Sequence, residues 1–172
     1  MFEGLTVALV TPFREGAIDW DALDRLVDHV IDGGGNGLVP AGSTGESPVL
    51  TAEEKRELFR RVRRRAAGRA FVLAGTGTNT TEGTVAQTRL AREEGADGAL
   101  VVTPYYNKPT QAGLYAHFRR VAEEGGLPIC LYNVPGRTGV SLAPETVRRL
   151  AQVPGIVAIK EASGSLDQAS EI

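Results

Sequence analysis

The stretch Ile156–Gly164, IVAIKEASG, sets an apolar run directly against a lysine and a glutamate. Ile156, Val157, Ala158 and Ile159 read as a strand buried on both faces, because three of the four are β-branched and no polar residue interrupts them. Lys160 then falls at the C-terminal end of that strand, before Glu161 and a turn of small residues. The run is the last of a series. TVALVT (6–11), GLVPAG (37–42), AFVLAG (70–75), GALVVT (98–103) and PICLYN (128–133) precede it, with starts 31, 33, 28, 30 and 28 residues apart. That spacing is close to the roughly 30 residues of a βαβ unit.

The segments between the runs have helical periodicity. WDALDRLVDHVIDGGG (20–35) places Leu23, Leu26, Val27, Val30 and Ile31 on one stripe and ends in glycines. TAEEKRELFRRVRRRAAG (51–68) opens with Thr51 and Glu54 at capping-box spacing. LAPETVRRLAQVPG (142–155) has Pro144 near its start and Gly155 after its end. Strands alternating with helices imply an α/β fold with a parallel sheet. No linker interrupts the alternation, so residues 1–172 read as one domain.

Six βα units fit either an open doubly wound sheet or part of a (βα)8 TIM barrel. Nearly every strand ends in a loop with chemical content: TPF, GSTGES, GTGTNTTEG, TPYYNKP, YNVPGRTG and KEASG. An open sheet gathers its ligand residues at one switch point, whereas a barrel brings all strand ends to one mouth. The even spread favours the barrel. A full barrel runs to about 250 residues, so this chain is expected to hold only the first six βα units, its C-terminal part incomplete.

Bulk properties narrow the function. The 172 residues are 42% hydrophobic and 23% charged, with a formal net charge of -2. That balance gives no electrostatic reason for a nucleic-acid or anionic-membrane partner. The one cysteine, Cys130, sits in an apolar run, which excludes an internal disulfide and fits a reducing compartment. With no signal-like start and no membrane-length apolar run, a soluble cytoplasmic protein is expected. The basic run FRRVRRRAAGR (59–69) lies beside acidic residues on an amphipathic helix and reads as a solvated outer face. His29 and His117 fall in helices without a Cys/His cluster, so no metal site is expected.

The strand-end residues carry the chemistry. GSTGES (42–47) lacks the lysine and spacing of a nucleotide-binding loop, and GTGTNT (75–80) lacks the third glycine of a dinucleotide fingerprint. Both read as turns exposing N–H groups and hydroxyls to a small anion such as a carboxylate; a tight turn before a capped helix is the plainer alternative. Tyr105 and Tyr106 follow the fourth strand, and Tyr132, Asn133 and Arg137 close the fifth. A tyrosine can relay a proton, and an arginine forks a carboxylate. A lysine in a barrel mouth would be desolvated towards its neutral amine, which attacks a ketone to give a Schiff base. Pairing with Glu161 is the competing reading, opposed by the alternation of strand side chains.

FEGLTVALVTPF, GSTGESPVLTAEEK, GTGTNTTE, VVTPYYNKPTQAGLYAHF, LYNVPGRTG and IKEASG together resemble the 4-hydroxy-tetrahydrodipicolinate synthase (dihydrodipicolinate synthase) family. That family lies in the class I pyruvate aldolase superfamily, alongside N-acetylneuraminate lyase. The resemblance covers all 172 residues, as the first three-fifths or so of such a protein. It implies that Lys160 forms an imine with pyruvate and needs no cofactor. It implies that Tyr132 and Thr44 relay protons, with Tyr106 completing the relay in a neighbouring subunit of a homotetramer built as a dimer of dimers. Ser43 and Thr44 would hold the pyruvate carboxylate, and Arg137 that of L-aspartate 4-semialdehyde. The product would feed lysine and diaminopimelate biosynthesis. A sister aldolase acting on a sugar aldehyde, or a shortened non-catalytic paralogue, are the alternatives. Many members have threonine where this chain has Ser43. Feedback-inhibited members carry an acidic residue in place of Gly83, and often histidines in place of Ala52 and Lys55, so inhibition by lysine is expected to be weak or absent.

Overall fold

All six apolar runs form strands, each starting within a residue of its place in the sequence pattern. The computed structural model describes residues 2–172. The chain divides into two units: one extends to Gly75 and includes Leu90–Gly98, the other holds Thr76–Arg89 and Ala99–Ile172.

The first unit contains β1 (Thr6–Ala8), β2 (Phe13–Arg14), β3 (Ala17–Ile18), α1 (Trp20–Asp32), β4 (Gly37–Val39), α2 (Ala52–Ala66) and β5 (Phe71–Gly75). β4 pairs in parallel with β1 on one side and β5 on the other. The stripe of α1 buries Leu23 and Val27, while Leu58, Phe59 and Val62 are the buried face of α2. Burying each such side chain contributes roughly 1.5–3 kcal/mol. The α2 capping box is present: Thr51 Oγ1 accepts from Glu54 N at 3.2 Å, and Glu54 Oε2 accepts from Thr51 N at 2.8 Å.

The β2–β3 hairpin was not read from the sequence. Its turn residues Glu15 and Gly16 both have positive φ (52° and 83°), the requirement of a tight two-residue hairpin loop. The basic run lies on the outside of α2, as expected, and most of its charges are matched. Arg61 donates twice to Asp24 at 2.8 and 2.9 Å, Arg69 reaches Asp28 at 2.7 Å, and Arg56 and Arg60 converge on Glu94 at 2.6 and 2.8 Å.

The second unit takes in the start of α3 (Thr81–Glu93), then β6 (Gly98–Val102), α4 (Gln111–Gly125), β7 (Ile129–Asn133), α5 (Pro135–Thr138), α6 (Pro144–Leu150), β8 (Ile156–Glu161) and α7 (Leu166–Glu171). β7 pairs in parallel with β6 and β8. Its core holds Val101, Leu114, Phe118, Val121, Ile129 and Leu131, all essentially inaccessible.

β8 corrects the sequence reading. It was expected to be buried on both faces, yet Ile156, Ala158 and Ile159 are half-buried, Val157 is 47% exposed and Lys160 is exposed. Among the described residues β8 pairs only with β7. No helix of the described residues is long and apolar enough to cross a membrane.

Candidate active site

Lys160 and Tyr132 are brought together by strand register. They are directly paired residues of β8 and β7, and so point to one face. Lys160 Nζ lies 4.5 Å from the centroid of the Tyr132 ring, within cation–π range. Tyr132 is 7% exposed, and Thr103 N donates to its carbonyl at 3.1 Å. The tyrosine is therefore a buried residue of the sheet, while the lysine beside it is exposed. The competing pair with Glu161 does not form: Glu161 bonds instead to Asn133 Nδ2 at 2.9 Å, Ser163 N at 2.6 Å and Gln168 Nε2 at 3.1 Å.

The register depends on an irregularity. Ile129 faces Ile156, but Cys130 faces Ala158, so β8 carries one extra residue, Val157. Without it, Ile159 would stand opposite Tyr132. The buried Cys130 thiol is pushed up to about 11 by burial, against the pull of Lys160, and stays protonated at neutral pH.

Arg137 lies on α5, just beyond β7; it is exposed, and its guanidinium makes no ion pair among the described residues. Tyr106 is 89% exposed and sits at φ 74°, with its N donating to Thr138 O at 3.4 Å. A non-glycine residue there carries backbone strain. Its ring meets no other ring in the described residues and is not brought to Tyr132.

Ser43 and Thr44 belong to the first unit, in the loop after β4. Gly45 N donates to Gly42 O at 3.0 Å, Glu46 N to Ser43 O at 3.2 Å, and Thr11 Oγ1 to Gly45 O at 2.7 Å. These bonds fix the turn and leave the N–H groups of Ser43 and Thr44 without a protein acceptor among the described residues. Ser43 is half-buried and Thr44 exposed, so the loop offers donors outward, as a carboxylate needs.

GTGTNT turns out otherwise. Thr76 Oγ1 lies 2.9 Å from Thr88 Oγ1, and Thr78 N donates to Thr84 Oγ1 at 3.0 Å. Thr76, Thr84 and Thr88 are buried, and their hydroxyls are spent on internal bonds that burial demands. His117 is buried on α4, with Nδ1 3.0 Å from Thr81 Oγ1; burial lowers it to about 4, against the opposing charge of Glu82. His29 is exposed on α1.

Sequence reasoning missed Gln168, which clasps Glu161 from α7. A glutamine seven residues downstream carries no periodic signal that would single it out.

A lysine and a buried tyrosine are thus paired at the ends of parallel strands, with an arginine that makes no ion pair among the described residues just beyond. A model of the Dihydrodipicolinate synthetase family matches residues 1–172, and the chain belongs to that family. The curated 4-hydroxy-tetrahydrodipicolinate synthase of Synechococcus sp. (strain JA-2-3B'a(2-13)) is 55% identical over 172 residues, covering 99% of this chain and 56% of the relative. Dihydrodipicolinate synthase from Aquifex aeolicus is 50% identical with a TM-score of 0.96, covering 99% of this chain and 59% of that one. The chloride-inhibited dihydrodipicolinate synthase from Acinetobacter baumannii, complexed with pyruvate, is 47% identical with a TM-score of 0.95, covering 98% and 58%. The chain thus spans somewhat under three-fifths of the length of these proteins. Its fold is that of the first six βα units of a TIM barrel, as the strand spacing predicts.

Proposed function

We propose that this chain carries the imine-forming lysine of an enzyme that condenses pyruvate with L-aspartate 4-semialdehyde to 4-hydroxy-tetrahydrodipicolinate, on the diaminopimelate route to lysine. The observation that carries the reading is the pairing of Lys160 with Tyr132, with Nζ 4.5 Å from the ring centroid. The neutral amine of Lys160 attacks the ketone carbon of pyruvate, and water leaves to give a protonated imine. That imine is the electron sink. A methyl proton departs, the enamine carbon attacks the aldehyde of the second substrate, and the amine of that substrate closes the ring as Lys160 is released. In this reading Tyr132 passes protons to and from the nitrogen, with the hydroxyl of Thr44.

The Ser43 and Thr44 N–H groups, free of protein acceptors, hold the pyruvate carboxylate. The unpaired guanidinium of Arg137 takes the carboxylate of the semialdehyde. Tyr106, 89% exposed, completes the relay in a neighbouring subunit of a dimer of dimers. The covalent imine needs no metal or cofactor, and the cytoplasm is the expected compartment. The relative complexed with pyruvate supports the choice of first substrate.

The test is to incubate the protein with pyruvate, reduce with borohydride and map any added mass. An adduct on Lys160, absent from Lys160→Arg, is expected; no adduct on the folded protein would refute the reading. Arg137→Ala is expected to spare this adduct while depressing turnover with aspartate semialdehyde by roughly 10²-fold, the loss of a charged hydrogen bond made at a buried carboxylate. Equal turnover of a sugar aldehyde by the unaltered protein would assign the site to a sister aldolase.

A further inference from the structure

The residues that follow Tyr132 and Lys160 in their strands form a polar clamp that the imine chemistry does not use. Asn133 is inaccessible and lies opposite Glu161, one step beyond the Tyr132–Lys160 pair. Asn133 Nδ2 donates to Glu161 Oε2 at 2.9 Å, and Asn133 Oδ1 accepts from Leu142 N at 2.9 Å. Glu161 Oε2 also accepts from Gln168 Nε2 at 3.1 Å, and Oε1 accepts from Ser163 N at 2.6 Å. Gln168 Nε2 reaches Leu142 O as well, at 3.3 Å. One carboxylate therefore gathers donors from β7, from the turn after β8 and from α7. Burial works to raise the Glu161 carboxyl, but the bonds from Ser163, Asn133 and Gln168 outweigh it and hold it below the usual carboxylate range. Both oxygens remain acceptors at neutral pH.

Register gives the clamp its consequence. A regular ladder continuing from Ile129–Ile156 would set Ile159 opposite Tyr132 and Lys160 opposite Asn133. A slip of one residue turns every side chain to the other face. In the slipped register Asn133 and Glu161 are no longer opposite, and the inaccessible amide and the half-buried carboxylate lose each other as partners.

We propose that Asn133 and Glu161 are positioning residues: their bond holds β8 in the bulged register that presents Lys160 Nζ to Tyr132. The inference rests on the imine reading above. Glu161→Gln is the informative change. Its amide can still accept from Ser163 N, but its nitrogen then confronts the donors of Asn133 and Gln168. The double variant Asn133→Asp/Glu161→Gln restores the cross-strand bond, because the new carboxylate accepts from both Leu142 N and the new amide, while Gln168 Nε2 keeps its bond to Leu142 O.

The experiment follows the rate of borohydride-trapped pyruvate adduct on Lys160 against pyruvate concentration, with melting by circular dichroism alongside. Glu161→Gln is expected to lower the maximal rate by roughly 10- to 100-fold, as a misplaced reacting group does, with the half-saturating pyruvate concentration unchanged. The double variant is expected to recover most of that rate. If Glu161→Gln traps as fast as the parent, or if the double variant is as slow as the single, the positioning role is overturned. Should the single variant fail to fold, the double decides alone: recovery of fold and adduct supports the clamp, and no adduct overturns it. An unaltered protein that gives no adduct removes the imine reading and this inference together, whereas normal trapping in parent and variant alike removes only the inference.

Discussion

β4 and β8 are both short apolar parallel strands, yet different forces set their register. All three residues of β4 are buried, and it has a paired strand on each side. Gly37 sits opposite Phe71, and a Cβ at Gly37 would fall 2.3 Å from the Phe71 ring. Steric fit and burial leave β4 one alignment. β8 has one partner strand among the described residues, half-exposed apolar residues and a bulge. Its alignment rests on a carboxylate and an amide. The contrast is between a strand whose alignment is set by steric fit and one whose alignment is marked by a cross-strand polar bond.

The contrast breaks most readily at β4. Gly37→Val should destabilise the protein by about 3 kcal/mol, the upper end for overpacking, because the Phe71 ring has to move and the β4–β5 pair with it. Denaturant unfolding would measure this. A variant as stable as the parent would mean that the glycine is incidental and that steric fit does not set the register of β4.

Acid should separate the two units. Burial holds His117, in the second unit, at about 4 rather than 6.5, so the unfolded chain takes up this proton first. Its contribution is whole above pH 6.5, declines as pH falls towards 4 and is flat below, costing at most about 3 kcal/mol. In the first unit the bond from Arg65 holds Asp28 at about 2 rather than 3.8, so its share is present above pH 3.8 and is lost as pH falls towards 2. The expected result is loss of stability across pH 6.5 to 4 that His117→Asn flattens, followed by a lower-pH loss that it leaves alone. An unchanged slope in His117→Asn would show that the buried imidazole is not the acid-sensitive group.

Much of this was legible in the sequence because it follows from period and spacing. The six strands, the capping box at Thr51, and Lys160 and Tyr132 at strand ends are all set by local pattern and by the near-30-residue repeat. The bulge was not legible: IVAIKE reads equally well as a regular strand, and one residue of misalignment leaves no trace in composition. The hairpin at Phe13–Ile18 was missed because its strands are two residues each and Glu-Gly is a weaker turn signal than Asn-Gly. The threonines of GTGTNT misled for a different reason: a hydroxyl near a strand end serves a ligand or an internal bond equally well until its partner is seen.

The smallest expected effect is the sharpest test of how β8 is aligned. Removing Val157 deletes a residue from the strand that carries Lys160, yet the deletion closes the bulge: Ile156 stays opposite Ile129, Ala158 opposite Cys130 and Lys160 opposite Tyr132. The exposed side chain lost makes little contribution to a core. If Asn133 and Glu161 choose the register, the adduct rate should stay where it was. In a chain that also carries Glu161→Gln, the same deletion should bring the rate back up, because the regular ladder now presents the lysine without help from the clamp. Loss of the adduct on deleting Val157 alone would mean that the bulge shapes the site directly, and β8 would then owe its function to backbone geometry rather than to the bond that holds it.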